Sequence, residues 1–284
     1  MSVPKHPSIL PVRQGQSGAV PQRLPTEGLS ARRKPRIICY GNRVSDNRPS
    51  GCEAPLTMNE TYIQELRQQM LVDIATHTAF AQEYIGKNVL DPRVLSAMAQ
   101  VPRHEFVPLE LRLYAYADTP LPIGFDKTIS QPFIVALMTD LLEPQETDVV
   151  LEIGTGLGYQ AAILSRLVRK VCSIESIEEL SARARKRLQR LEYGNVETRL
   201  GDGYYGWPEQ APFDKIIVTA APDLIPPPLI HQIKRGGKMV IPAGLSESQK
   251  LILVDKDMDG HIVTKELLPV RFSQLDTNET GTVC

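Results

Sequence analysis

Residues 148–160 read Asp148-Val-Val-Leu-Glu-Ile-Gly-Thr-Gly-Leu-Gly-Tyr-Gln160. The apolar residues Val149, Val150, Leu151 and Ile153 form a strand of the kind buried on both faces. They run into three glycines at alternate positions, Gly154, Gly156 and Gly158, and a helix is expected over 158–169. Glycine lets the backbone come close to a ligand, and the free N–H groups of the helix start face it. Strand, glycine turn and helix together make a cradle for a nucleotide-like ligand.

The pattern continues downstream. Strands are expected at 148–153, 171–175, 196–200, 213–218 and 237–242, with helices at 158–169, 177–192 and 227–233. Alternation of this kind gives an α/β fold, a doubly wound and mostly parallel sheet with helices on both faces. After Gly244 it stops. Residues 250–256 and 262–270 read as two strands joined by Asp257-Met-Asp-Gly260, an antiparallel hairpin closing the sheet.

Upstream, Ile63, Leu66, Met70, Ile74 and Ala81 fall near one face of a helix over 59–85. Asp91-Pro92 opens a second helix, with Asp as N-cap and Pro at the first helical position, and Pro102 ends it. A short helix over 109–117, a loop over 118–131 and a helix over 132–142 complete this part.

The chain has 284 residues, 42% hydrophobic and 23% charged, with a net charge of −1. Nothing in that balance points to nucleic acid or a membrane surface. Its apolar runs are far shorter than the roughly 20 residues of a membrane span. Four cysteines, Cys39, Cys52, Cys172 and Cys284, show no metal-ligand spacing and need no disulfide framework, which fits a reducing cytoplasm. Cys172 reads as a small buried thiol in a strand.

Residues 1–57 stand apart. They hold eight prolines, and nine Lys/Arg against three acids give them a net charge of +6. Such a stretch cannot bury enough surface to offset chain entropy and is expected to be a disordered arm, a tail or an extension upstream of a start at Met58 or Met70. Residues 58–284 are then one domain, with helices and a loop over 58–145 and the ligand-binding sheet and hairpin over 146–284.

Glu175 ends the second strand, 21 residues beyond Gly154. An acid at this place can accept both ribose hydroxyls of an adenosine. NAD and S-adenosylmethionine share that much geometry, so these residues leave the two open. Gly201-Asp202-Gly203 puts a carboxylate at the tip of the third strand, where it suits an adenine amino group. The turn after the first strand is not the GxGxxG usual for a nicotinamide enzyme, and no second mononucleotide-binding half is evident. With Phe213–Pro222 and Leu229–Pro242, these segments resemble, in order, the motifs of class I S-adenosylmethionine-dependent methyltransferases.

The resemblance narrows upstream. Asp118-Thr-Pro-Leu-Pro-Ile-Gly124 with Thr128-Ile-Ser-Gln-Pro132 is similar to the substrate loop of protein-L-isoaspartate O-methyltransferases. Asp91–Met98, Val101–Pro108 and Gly201–Asp214 resemble further segments of that family, and coverage runs from about Leu71 to Leu275. The resemblance implies a Rossmann-like methyltransferase. It would carry a methyl group from S-adenosyl-L-methionine to the free α-carboxylate of L-isoaspartyl residues in damaged proteins and peptides. It further implies Ser130 as the active-site residue. Gly154, Thr155 and Gly156 would line the methionine part and ribose, Glu175 would bind the ribose hydroxyls, and Asp202 and Gly203 would meet the adenine. Thr128, Ile129 and Val135 would close over the cofactor. No metal is implied, and the enzyme would be a monomer.

Two segments depart from the family. Gly124-Phe-Asp-Lys127 stands where bacterial members commonly read Gly-Tyr-Gly-Gln, and Ser273-Gln274 stands where Val-Pro is usual. Rival readings are a methyltransferase of this fold with another acceptor, and a cofactor-binding protein without catalysis. Among the remaining polar residues, His104 is expected to be structural and His77 to lie on a helix surface. Trp207, Tyr204 and Tyr205 are expected to pack a loop, and the basic face from Arg183 to Arg190 to be solvated.

Overall fold

The computed structural model describes residues 59–276. The arm expected over 1–57 lies outside them.

The N-terminal layer is helical. Asn59 caps α1 (Glu60–Phe80), its side chain accepting the Tyr62 N–H at 2.8 Å. The helix expected over 59–85 breaks at Ala81, and α2 (Gln82–Ile85) ends at Gly86, whose φ of 76° only glycine adopts without strain. Asp91 caps α3 (Pro92–Gln100), as its sequence signal requires, accepting the Arg93 N–H at 2.7 Å. The short helix expected over 109–117 is instead a 3₁₀ turn, Leu109–Tyr114, and a further 3₁₀ turn, Arg103–Phe106, precedes it between Pro102 and Pro108. In α4 (Pro132–Leu141) nine of ten residues are buried, so this helix is core on every side.

The segment expected to be a loop over 118–131 contains a hairpin. β1 (Leu121–Gly124) and β2 (Lys127–Ile129) pair antiparallel, Leu121 opposite Ile129. Leu121, Ile123 and Ile129 are buried. The turn residues Phe125 and Asp126 have φ of 56° and 55°, the left-handed pair of a type I′ turn, although neither is glycine.

The sheet follows: β3 (Val149–Ile153), β4 (Lys170–Glu175), β5 (Val196–Leu200), β6 (Phe213–Val218), β7 (Ile233–Ala243), β8 (Lys250–Lys256) and β9 (Ile262–Pro269). Its spatial order is β5-β4-β3-β6-β7-β8-β9. β3 to β7 run parallel, and β8 and β9 close the sheet antiparallel. α5 (Tyr159–Ser165), α6 (Glu178–Arg190) and α7 (Pro227–Gln232) connect the parallel strands. β7 begins earlier than its glycines indicate, because Ile233 already pairs with Phe213 across a register shift.

Alternate residues of β3 feed two cores. Val150 packs with α1, α3, α4 and α5, whereas Leu151 and Ile153 pack with Trp207, Phe213 and Leu229 on the other face. After β3 the chain moves outward through β4 and β5, then returns to the other side of β3 as β6. The strand order reverses there, and in such sheets the crevice at the carboxyl ends of the two strands is where ligands bind.

Candidate active site

The glycine turn lies in that crevice. Gly154, Gly156 and Gly158 have φ of 95°, 56° and 95°, which accounts for three glycines at alternate positions. A Cβ on Gly154 would sit 2.4 Å from Thr219 Oγ1. Thr219 crosses from the end of β6 to donate to the Gly154 carbonyl at 2.8 Å, so the two strand ends are stitched together.

Glu175 is buried at the tip of β4. One of its oxygens accepts the Gly156 N–H at 2.7 Å and the other the Ile177 N–H at 3.1 Å. Burial pushes its carboxyl upward, opposed by these backbone N–H groups and by the charge of Lys127. The acid is thus fixed to the glycine turn and aimed into the crevice.

Behind the turn stands a carboxyl the sequence reading did not single out. Glu152 is fully buried, and desolvation raises its pKa to about 8, leaving it mainly protonated at neutral pH. Ser173 donates to it, and the Ser173 hydroxyl is 2.6 Å from that of Thr155. This Thr155–Ser173–Glu152 chain anchors the middle of the turn from below.

The hairpin covers the crevice from above. Arg103, completely buried, donates to the Ala115 carbonyl and to the Ser130 carbonyl, each at 2.7 Å, and lies 4.7 Å from the centre of the Tyr159 ring. Asp118 accepts the Phe133 N–H at 2.8 Å and the Gln131 amide at 2.9 Å, fixing the start of α4. Ser130 is therefore held by its backbone. Its hydroxyl has no hydrogen-bond partner among the described residues.

Between hairpin, glycine turn and C-terminal segment lies a cavity of about 610 Å³, a size suited to one cofactor and part of a substrate. Thr128, Ser130, Gly154, Gly156, Glu175 and Gly203 line it, with Thr219 and residues 268–276. An adjoining pocket of about 50 Å³ is lined by Ile129, Val135 and Thr155 as well as Thr128, Ser130, Gly154 and Gly156. Nine of the ten expected site residues thus meet around one crevice. Asp202 lines neither space; its carboxylate accepts the Tyr204 N–H at 2.8 Å and caps a short 3₁₀ turn. A Cβ on its neighbour Gly203 would lie 2.3 Å from Ile153, so glycine is required there too.

The bland expectations stand for several residues. Cys172 is buried and its thiol is pushed up to about 11 by desolvation. His104 binds the Tyr116 hydroxyl at 2.8 Å, and Trp207 is packed in the second core. On α6, Arg190 pairs with Glu105 at 2.6 Å and Arg187 donates to the Leu157 carbonyl at 3.1 Å, so part of the basic face is structural. His77 is exposed on α1, as expected, and it also lines the cavity.

A glycine cradle at the switch point and an acid at the tip of the next strand fit an adenosine-containing cofactor. An antiparallel pair stands where a nicotinamide enzyme would place a second parallel half. These features define a class I S-adenosylmethionine-dependent methyltransferase. The family model described as Protein-L-isoaspartate(D-aspartate) O-methyltransferase matches residues 75–280, and the chain belongs to that family.

Protein-L-isoaspartate O-methyltransferase 1 of Polaromonas sp. (strain JS666) is 65% identical over 225 residues, 79% of this chain and 95% of the relative. Protein-L-isoaspartate O-methyltransferase 2 of Syntrophobacter fumaroxidans is 56% identical over 210 residues, 74% of this chain and 85% of the relative. A solved protein-L-isoaspartate O-methyltransferase is similar with a TM-score of 0.64 at 31% identity, covering 75% of this chain and 66% of the other. A Plasmodium falciparum structure in complex with S-adenosyl-L-homocysteine has a TM-score of 0.61 at 21% identity, covering 76% and 98%, a likeness of fold.

Proposed function

We propose that the cavity under the β1–β2 hairpin is where this enzyme methylates the free α-carboxylate of L-isoaspartyl residues in damaged proteins and peptides, a repair reaction. S-Adenosyl-L-methionine supplies a methyl group activated by its sulfonium. The observation that carries the residue assignment is that Ser130, Glu175 and the glycine turn line one cavity.

An isoaspartyl α-carboxylate is ionised at neutral pH, with a pKa near ~3.5, so no general base is needed. The chain's task is to bind, align and desolvate. Gly154, Thr155 and Gly156 offer backbone to the methionine part and ribose, and Glu175 accepts the ribose hydroxyls. Gly203, with Asp202 beside it, borders the adenine. Thr128, Ile129 and Val135 exclude water from above. The Ser130 hydroxyl donates to the substrate carboxylate, so that removing it from water does not leave it unpaired. Ser130 is a positioner, not a nucleophile.

Labelled methyl transfer to an isoaspartyl peptide and to its normal aspartyl twin tests this reading. Methylation of the isoaspartyl peptide alone is expected. Methylation of neither, or of both equally, overturns it. We further propose a monomer working in the cytoplasm without nucleic acid or membrane; a solution mass of one chain is the expected result for the first.

A further inference from the structure

His77 belongs to α1, far in sequence from the glycine turn, yet it forms part of the cavity wall with Pro120, Ser130, Gln131 and Phe133. Its Nδ1 lies 2.6 Å from Asp118 Oδ2. That carboxylate, 5% exposed, is itself fixed by the Phe133 N–H and the Gln131 amide. The imidazole also lies 5.5 Å from the Phe133 ring, tilted by 38°. Anchoring Nδ1 on a carboxylate fixes both the ring orientation and the place of one hydrogen. The other nitrogen, Nε2, has no partner among the described residues, and the side chain is 46% exposed. An imidazole clamped at one end and open at the other, on a cavity wall, is a ready hydrogen-bonding site for a ligand.

The reaction needs such a group. A carboxylate has two oxygens, and enclosing it is costly unless both are served. Ser130 has a single hydroxyl hydrogen. Of the other long side-chain donors on the wall, the Gln131 amide is engaged by Asp118, Lys127 by Asp276 and Gln274 by Asp223, which leaves Arg271 of the C-terminal segment as the rival donor to the carboxylate. We infer that His77 is a substrate-binding residue: in its doubly protonated form it donates from Nε2–H to the isoaspartyl carboxylate while Asp118 accepts from Nδ1–H. This rests on the function proposed above. It makes Asp118 a positioning residue for both the histidine and the start of α4.

Two substitutions separate this role from simple bracing. In His77→Asn the amide can replace Nδ1 toward Asp118 but cannot reach the cavity. In His77→Gln the longer amide can replace Nε2 but loses the Asp118 contact. Steady-state kinetics with an isoaspartyl peptide should give a KM raised about tenfold in His77→Asn, from one lost charge-assisted hydrogen bond. His77→Gln should stay near the wild-type KM. In both, kcat and S-adenosyl-L-homocysteine affinity should change less than about twofold, well short of the effect of that lost bond. An unchanged KM in His77→Asn overturns the inference. So does the reverse ranking of the two variants, a parallel loss of S-adenosyl-L-homocysteine binding, or a KM that rises in Arg271→Gln but not in His77→Asn. A wild-type enzyme that does not methylate the isoaspartyl peptide sinks the proposed function instead.

Discussion

Lys127 Nζ lies 2.7 Å from Asp276 Oδ2, so the turn of the hairpin and the C-terminal segment meet at the cavity. Both residues line it. Lys127 belongs to Gly124-Phe-Asp-Lys127 and Asp276 lies just beyond Ser273-Gln274, the two segments whose sequences are expected to depart from the family. Gln274 in turn is tied to Asp223 at 3.0 Å. Lys127 and Asp276 thus bridge the hairpin turn and the C-terminal segment across the cavity.

Breaking that bridge should loosen cofactor binding modestly, because Lys127 is 23% and Asp276 49% exposed and exposed pairs contribute little. Lys127→Gln and Asp276→Asn are each expected to weaken S-adenosyl-L-homocysteine binding about two- to fivefold by calorimetry, and the double variant no more than either single. High salt should weaken the wild type toward the variants. Additive losses would show that the two side chains act separately.

Ser130→Ala removes a donor but leaves the carbonyl that Arg103 holds. The variant should bind S-adenosyl-L-homocysteine as the wild type does, while its methylation rate falls about ten- to a hundredfold. An unchanged rate would remove Ser130 from the mechanism.

Glu152 ties stability to pH. Its carboxyl titrates near 8 in the fold, against 4.5 for the ordinary side chain. Between those values the folded chain holds a proton that the unfolded chain has lost. This contribution to stability is complete below pH 4.5 and disappears as pH rises through about 8. Thermal melts of wild type and Glu152→Gln across that interval should show the wild-type Tm falling more steeply with pH. Parallel curves would mean that Glu152 stays ionised in the fold.

Asp126 occupies a left-handed turn position with φ of 55°. Asp126→Gly should relieve this strain, and chemical denaturation should show a gain of about 1 kcal/mol. A loss would mean that the Asp126 side chain makes a stabilising contact outweighing the strain.

The parts legible in the sequence are those whose signal is local. Gly154, Gly156 and Gly158 announce the turn because the backbone there demands glycine, and the strands announce themselves as apolar runs of fixed spacing. Residues 121–129 hid a hairpin because Pro122 speaks against a strand and Phe125-Asp126 lack the usual turn residues. The start of β7 was obscured by Gly236-Gly237, which read as a turn but lie within the strand. His77 was not readable at all: its partner Asp118 comes from another element, and only tertiary packing turns a helix-surface residue toward the cavity. Arg103 gave no sign that it would hold the Ser130 carbonyl, for the same reason.

Residues 268–276 form one wall of the cavity and carry the Asp276 end of the bridge. During synthesis the helices and every parallel strand emerge before them. A nascent chain can thus assemble most of its sheet while the cavity still lacks a side. Enclosure arrives with residues 270–276, so a chain cut after Pro269 would keep every strand of the sheet but lack that side of the cavity.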